Sequence, residues 1–263
     1  MRADKYFASR FGSRTKAAQA LDRGLILLDG KALRAKDEVN EGARIEIREA
    51  DDLFVSNGGY KLDRAIKTFN LNCQDKVFVD IGASTGGFTD CLLQNHAKKI
   101  YAVDVGESQL HEKLQCDPRV IPMDNTNARY LEKSHFSDII DGVVTDVSFI
   151  SLRLIFPVIK DILAQSGFAV VLVKPQFECE NKNIGKSGIV HTSAHADIVK
   201  KVFSYATDNG LYPHAIINAP VRKGKNIEYV LLVKPDHVGA PRQETLLLQL
   251  KEAIALHKEG QLR

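Results

Sequence analysis

Seven short apolar runs, separated by segments with helical spacing, constrain the fold of this chain more than any other feature. In the run before Lys174, five apolar residues (169–173) follow one another without a polar break. Such a run is typical of a strand buried on both faces, as in a parallel sheet that helices cover. Helical spacing is clear at 88–95 and 151–165. The runs are VFVDIG, KIYAVDV, RVIPMD, GVVTDV, AVVLVK, HAIINA and IEYVLLVK.

This alternation predicts an α/β fold with a doubly wound, mainly parallel, seven-stranded Rossmann-like sheet. The sheet domain is expected over residues 60–263, after a polar linker at 50–59 and with a closing helix at 242–259. Sheets of this kind bind ligands at the carboxyl ends of their strands. Lys174 stands at such an end, because Pro175 cannot donate to a ladder. Its charge is therefore expected to serve a reaction.

Residues 1–49 have the pattern of a separate, small α+β domain. Two short helical stripes are broken at Gly12, Gly24 stands where a C-cap glycine is expected, and a hairpin is predicted around Asp29 and Gly30. Residues 1–36 contain nine Lys or Arg and three acids, a net charge of +6, whereas the rest of the chain carries −3. This charge favours either a module that meets phosphate or the solvated face of two helices.

Several classes of protein are disfavoured by composition. The four cysteines are scattered without a C-x-x-C pair, so neither a metal site nor a disulfide framework is predicted. The first residues are charged throughout, and no run approaches the roughly 18 apolar residues of a spanning helix. We therefore predict a cytoplasmic protein without stable membrane association.

A glycine-rich turn follows the first strand of the predicted sheet. VFVDIGASTGGFTD has the order strand, acid, glycine turn and helix, but Ser84 replaces the second glycine of G-x-G-x-x-G. Asp80, Asp104 and Asp124 end three successive strands. Asp80 or Asp124 alone is explained as a cap or turn residue. Together they favour a nucleoside with an uncharged tail over a pyrophosphate.

Four further polar residues stand at buried or strand-terminal positions: Lys61, Asp146, Lys174 and Glu228. Each also has an ordinary structural interpretation, which is the better one for Lys61 or Glu228 taken alone. A lysine that is crowded by a second lysine and partly desolvated can act as a base or stabilise an alkoxide. Lys174 is expected to do one or the other, and Asp146 to orient the two ammonium groups.

In combination these motifs resemble known families. The Lys-Asp-Lys-Glu set resembles the tetrad of FtsJ-type RNA ribose 2′-O-methyltransferases, and the glycine turn resembles class I methyltransferases that use S-adenosylmethionine. The N-terminal pattern is similar to S4-type RNA-binding domains. With SNGGYKLDRAI, TDVSFISL, VKPQFE, GKSGIV and KGKNIEYVLL, the chain resembles the hemolysin A (TlyA) family over nearly its whole length.

The resemblance implies an enzyme that methylates a cytidine ribose of ribosomal RNA in the large, and also the small, ribosomal subunit. It implies S-adenosylmethionine as cofactor and ribosomal RNA or ribosomal subunits as partners. It assigns catalysis to the four residues above and RNA binding to Arg2, Lys5, Arg14, Lys16 and Arg23. It assigns cofactor binding to Asp80, Gly82, Ala83, Ser84, Gly86, Gly87, Phe88, Asp104, Asp124 and Asn125.

The chain departs from the family pattern at two places. SNGGYK lacks the arginine that often precedes the glycines, and the linker segment LFV lacks the usual tryptophan. The sequence leaves three alternatives: a membrane-lysing protein, an RNA-binding protein with an inactive methyltransferase fold, and a pseudouridine synthase. The C-terminal helix is the one candidate for a lytic segment, and packing on the sheet explains it better. A complete tetrad disfavours the second alternative, and the methyl-donor turn disfavours the third.

Overall fold

The computed structural model describes residues 1–22, 24–39, 44–47, 53–180, 183–185, 188–220 and 225–258. The chain divides into two compact units, Met1–Leu53 and Phe54–Arg263.

The smaller unit combines two helices with a three-stranded antiparallel sheet in the order β2-β1-β3. Asp29 and Gly30 both have positive φ (49° and 80°), as the predicted two-residue hairpin requires. A core of its own includes Phe7, Leu21 and Ile26. The elements are α1 (Ala3–Tyr6), α2 (Arg14–Asp22), β1 (Ile26–Leu28), β2 (Lys31–Ala32) and β3 (Ile45–Ile47).

The larger unit is built on a seven-stranded sheet in the order β6-β5-β4-β7-β8-β10-β9. Strands β6, β5, β4, β7 and β8 are parallel, and β10 pairs antiparallel with both β8 and β9. The predicted α/β class and mainly parallel sheet are confirmed. The strands are β4 (Val77–Ile81), β5 (Lys99–Val103), β6 (Val120–Met123), β7 (Ile140–Thr145), β8 (Leu163–Val173), β9 (Tyr212–Asn218) and β10 (Tyr229–Lys234).

Helices cover both faces of this sheet, because the central strands are apolar on both sides. Phe78 packs on one face with residues of α3 and α4, and Val79 packs on the other with residues of α6 and α8. The helices are α3 (Asn57–Phe69), α4 (Gly87–Gln94), α5 (Glu112–Gln115), α6 (Phe156–Ile162), α7 (Pro175–Glu178), α8 (His195–Asp208) and α9 (Gln243–Lys258).

Two predicted boundaries require correction. The helical spacing of 151–165 continues past the end of α6, but β8 already begins at Leu163, whose partner in the ladder is Ile140 of β7. Pairing with a neighbouring strand outweighs local helical spacing there. The sequence predicts Glu228 at the start of a strand, whereas β10 begins one residue later, at Tyr229. Glu228 therefore lies in the segment that enters the strand.

Candidate active site

The four predicted reacting residues come together at the carboxyl edge of the parallel strands. Asp146 and Lys174 directly follow β7 and β8, which are neighbours in the sheet. Lys61 lies on α3, and Glu228 precedes β10. The sheet topology thus assembles residues that are up to 167 positions apart in the chain.

The four side chains form a continuous row of alternating charge. Lys174 Nζ lies 2.6 Å from Asp146 Oδ1, and Lys61 Nζ lies 3.4 Å from Asp146 Oδ2. Lys61 Nζ also donates to Glu228 Oε2 at 2.7 Å. All four side chains are 10–20% exposed. The cost of partly removing these charges from water is offset because each charged group lies next to one of opposite sign.

The two lysines of the row differ in the number of carboxylates that they contact. Burial acts to lower the pKa of Lys61, but the carboxylates of Asp146 and Glu228 outweigh it and raise that pKa above its ordinary value. Lys61 is therefore held as an ammonium at neutral pH and is unsuited to accept a proton. If one of the two lysines is a base, the geometry favours Lys174, which has one carboxylate partner in the row.

Two residues beside the row were missed in the sequence. Ser148 Oγ accepts a hydrogen bond from Lys174 Nζ at 2.7 Å. Phe149 is 91% exposed and has φ 63°, an unusual backbone conformation for a bulky residue. Its ring lies 5.0 Å from that of Phe177, which follows Lys174 by three residues. A serine and a phenylalanine in a strand-end turn carry no periodic signal. TDVSFISL contributes to the family resemblance, but nothing in it singles out these two residues.

The predicted donor turn begins at a fully buried carboxylate, Asp80. Its Oδ2 accepts a hydrogen bond from Thr89 Oγ1 at 2.7 Å. Its Oδ1 is buried with no hydrogen-bond partner among the residues that the structure describes. Burial, reinforced by the nearby charge of Asp146, raises the pKa of Asp80 to about 7 despite the Thr89 bond. A cationic ligand beside Asp80 would stabilise the ionised form of this carboxylate.

The glycines of the turn serve different purposes. Gly82 and Gly86 have φ values of 81° and 91°, which side-chain-bearing residues rarely adopt. Gly87 instead permits close packing, because a Cβ atom there would overlap Ser56 Oγ and crowd the backbone of Gly59. Phe88 is 3% exposed and belongs to the core, so its ring faces protein.

The acids after β5 and β6 shape the loops around the turn. Asp104 accepts backbone N–H bonds from Ser84 and Gly106, both at 2.8 Å. Asp124 accepts one from Ser108 at 3.0 Å. Val105, beside Asp104, is 69% exposed and offers an apolar face at the same edge.

Asn125 and Ala83 complete the predicted donor set. Asn125 has φ 52° and donates its backbone N–H to the Gly106 carbonyl at 3.0 Å. Ala83 is 6% exposed and donates its backbone N–H to the Val103 carbonyl at 3.0 Å. Glycine turns, an unpartnered buried carboxylate oxygen and acids at successive strand ends fit a cationic nucleoside such as S-adenosylmethionine.

Two of the basic residues predicted to bind RNA are organised by one buried acid. Asp4 is 5% exposed and pairs with Arg2 at 3.0 Å and with Arg14 at 2.9 Å. Both arginine side chains remain about half exposed, at 49% and 59%. Lys5 is exposed. Arg23 and the side chain of Lys16 lie outside the described part of the structure.

Two kinds of feature are absent from the residues that the structure describes. Among them, no group of three or more His, Cys, Asp or Glu side chains is arranged to hold a metal ion. Nor is any described helix long and apolar enough to cross a membrane.

Comparison with known proteins agrees with this geometry. A model of the FtsJ-like methyltransferase family matches residues 54–235. "Putative rRNA methyltransferase YqxC" of Bacillus subtilis is 40% identical over 236 residues, 88% of this chain and 84% of that protein. "16S/23S rRNA (cytidine-2'-O)-methyltransferase TlyA" of Mycobacterium tuberculosis is 34% identical over 226 residues, 84% of each. The solved structure "Putative hemolysin from Streptococcus thermophilus" aligns with a TM-score of 0.75 and 34% identity over 98% of both chains.

The chain therefore belongs to the FtsJ-like methyltransferase family, and its relatives place it in the TlyA group of that family. The predictions of methyltransferase activity and of S-adenosylmethionine as the methyl donor are confirmed at the level of the family.

Proposed function

We propose that this protein transfers a methyl group from S-adenosylmethionine to a ribose 2′-hydroxyl of ribosomal RNA, with cytidine as the target nucleoside. The observation that carries the proposal is the row Lys174, Asp146, Lys61 and Glu228, which lies at the carboxyl edge of the sheet beside the donor turn. A ribose hydroxyl is a weak nucleophile, so its methylation needs a positioned base and charge stabilisation.

When bound, S-adenosylmethionine supplies an electrophilic methyl group on a sulfonium. Lys174 Nζ takes the proton of the ribose hydroxyl while the new O–C bond forms and the S–C bond breaks. Asp146 stabilises the resulting ammonium from 2.6 Å. Lys61 remains protonated between Asp146 and Glu228 and stabilises negative charge that develops on the ribose oxygen.

The donor is held by Asp80 and the 82–86 turn, with Asp104 at its ribose and Asp124 and Asn125 at its adenine. The apolar face of Val105 lies beside Asp104, where a base can pack against it. Phe149 offers an exposed ring close to Lys174, and stacking on such a ring is worth about 1 to 3 kcal/mol per base. We assign that ring to the target base, which brings its ribose to the row.

Ribosomal RNA is proposed as the substrate because the curated relatives are named for it and because basic residues are concentrated in the first 36 positions. We propose that residues 1–49 form an S4-like RNA-binding domain, joined through 50–59 to the methyltransferase domain. A ribosomal substrate implies action in the cytoplasm. The hemolysin names that several relatives carry are not extended to this chain, since the row of charges and the donor turn serve methyl transfer.

The proposal is tested by incubating the protein with S-adenosylmethionine and purified ribosomal subunits or naked ribosomal RNA, and by measuring methyl incorporation. Calorimetric titration with S-adenosylmethionine is the parallel binding measurement. Saturable donor binding together with methyl incorporation supports the proposal. A protein that neither binds the donor nor labels RNA contradicts it, and lysis of membrane vesicles by the same preparation would favour the lytic alternative.

Donor affinity is expected to increase with pH through about 7. The raised pKa of Asp80 keeps its carboxyl neutral below that pH and ionised above it, and a cationic donor binds the ionised form better. Between about pH 8 and pH 6 we expect the dissociation constant to rise up to about tenfold, with proton release on binding below pH 7. Calorimetry in buffers of different ionisation enthalpy measures both effects.

Asp80→Asn is the matched control for this pH dependence, because its amide oxygen can still accept the Thr89 bond but does not titrate. The variant is expected to bind the donor weakly and with little dependence on pH. A flat affinity profile for the wild-type protein would remove Asp80 from the donor site.

Removal of the two arginines that Asp4 organises is expected to weaken RNA binding and its dependence on salt. Arg2→Ala with Arg14→Ala deletes two phosphate-binding charges, so the slope of log affinity against log salt should fall by about 1.5 to 2. Donor affinity should not change. Arg119→Ala is the control, because Arg119 also pairs with an aspartate and is 43% exposed. It precedes β6 and so lies at the amino edge of the parallel strands, away from the row of charges. An unchanged salt slope in the double variant would exclude these arginines from the RNA surface.

A further inference from the structure

Ser148 lies in the turn that follows β7 and contacts the amine proposed as the base. Lys174 Nζ donates to Ser148 Oγ at 2.7 Å and pairs with Asp146 Oδ1 at 2.6 Å. One nitrogen thus contacts two side chains that are two residues apart on the same turn. The serine is solvent-exposed, whereas the Lys174 side chain is only 10% exposed.

The contacts matter because a base must present a lone pair. A neutral amine has two N–H bonds and one lone pair in tetrahedral directions, and it rotates freely about the Cε–Nζ bond unless its N–H bonds have acceptors. A carboxylate and a hydroxyl oxygen both accept hydrogen bonds. Among the described residues, Asp146 Oδ1 contacts the Lys174 nitrogen as an ion pair without a hydrogen bond, whereas Ser148 Oγ accepts an N–H bond from it. The bond to Ser148 is therefore the contact that restricts rotation of the amine and so the direction of its lone pair.

We propose that Ser148 is a positioning residue for methyl transfer. Its hydroxyl fixes the rotation of the Lys174 amine, so that the lone pair faces the ribose hydroxyl instead of turning toward Asp146 or solvent. Correct orientation of a reacting group contributes to rate without contributing to affinity. The inference rests on the proposed function, in which Lys174 takes the ribose proton.

The backbone of the turn supports a fixed position for Ser148. Asp146 donates its backbone N–H to the carbonyl of Ile81 at 3.2 Å, which ties the start of the turn to β4. Phe149 adopts its left-handed conformation immediately after the serine, a strain that persists where the surroundings determine the backbone. The ring contact between Phe149 and Phe177 joins the same two segments a second time. Ser148 is therefore held against Lys174 from both sides.

The test compares Ser148→Ala, which deletes the hydroxyl, with Ser148→Thr, which keeps it. Ser134→Ala removes the hydroxyl of another exposed serine and is the control. Each protein is assayed for single-turnover ribose methylation at saturating S-adenosylmethionine and ribosomal RNA, and for the dissociation constants of both. We expect Ser148→Ala to be slower by about 10-fold to 100-fold with dissociation constants within about twofold of wild type. Ser148→Thr should retain most of the rate.

Three results would overturn the inference. These are a Ser148→Ala protein as fast as wild type, a loss confined to the dissociation constants, and a threonine variant as slow as the alanine variant in a folded protein. Failure of the wild-type protein to methylate ribose would instead overturn the proposed function and this inference with it. An active wild type with a fully active alanine variant would overturn the role of Ser148 alone.

Discussion

Lys174→Met is expected to abolish methyl transfer while the protein stays folded and binds both substrates. Methionine matches the apolar stem of lysine, so packing should change little. Loss of proton transfer from the ribose hydroxyl typically costs about 10²-fold to 10⁴-fold in rate. The measurement is single-turnover methylation of ribosomal RNA, alongside titration of the donor and of the RNA.

Lys174→Arg separates two roles for this residue. A guanidinium keeps its proton at any accessible pH, so arginine can stabilise charge but cannot act as a base. We expect the arginine variant to be as inactive as the methionine variant. An arginine variant that recovers most of the rate would make Lys174 an electrostatic stabiliser and place the base elsewhere.

Lys234→Met is the control for the methionine variant. Lys234 ends β10, so it is also a strand-end lysine. Because β10 runs antiparallel to β8, Lys234 lies at the opposite edge of the sheet from Lys174. Its substitution should leave the transfer rate unchanged. A nearly fully active Lys174→Met would show that Lys174, like Lys234, is simply a strand-end charge.

Asp146→Asn is expected to have the second largest effect. Asp146 contacts both lysines, so its neutralisation removes the carboxylate that they share and leaves only Glu228, which contacts Lys61. We expect a loss of transfer of about 10²-fold or more, because the ammonium formed on Lys174 loses its partner. A lower melting temperature is also expected, since removing one partner of a desolvated charge cluster leaves charge uncompensated.

Glu228→Gln provides the comparison within the same row. Glu228 contacts Lys61 at 2.7 Å but has no ion pair with Lys174 in the described structure. Its neutralisation should therefore slow transfer less than that of Asp146. If the glutamine variant were the slower of the two, the chemistry would depend on Lys61 and not on the Lys174 end of the row.

The sheet was predictable from the sequence because its strands are buried on both faces. A continuous apolar run such as 169–173 needs burial on both faces, so it predicts a strand inside a helix-covered sheet. Because such strands are parallel, an acid or lysine that directly follows one lies at the carboxyl edge of the sheet. Asp146 and Lys174 could be located in this way. The boundary between α6 and β8 could not, because it depends on the pairing of Leu163 with Ile140 of β7, which local helical spacing does not reveal.

The residues of the site were predictable only in part, because a sequence does not show which side chains contact one another. Charged residues at strand ends are visible in a sequence, but the contacts among them depend on side-chain directions. The pairing of Lys61 with Glu228, which together with Asp146 raises the pKa of Lys61, joins residues 167 positions apart. Ser148 and Phe149 carry no periodic pattern, and their relation to Lys174 follows from one strained turn.

The central claim is that the methyl group reaches a ribose oxygen, and the position of the transferred methyl tests it most directly. Ribosomal subunits are methylated with S-adenosylmethionine that carries an isotopic label on its methyl group. The RNA is then digested to nucleosides and analysed by mass spectrometry. The account predicts label in 2′-O-methylcytidine and none with Lys174→Met. Label on a base, or equal labelling by the wild type and Lys174→Met, would contradict it.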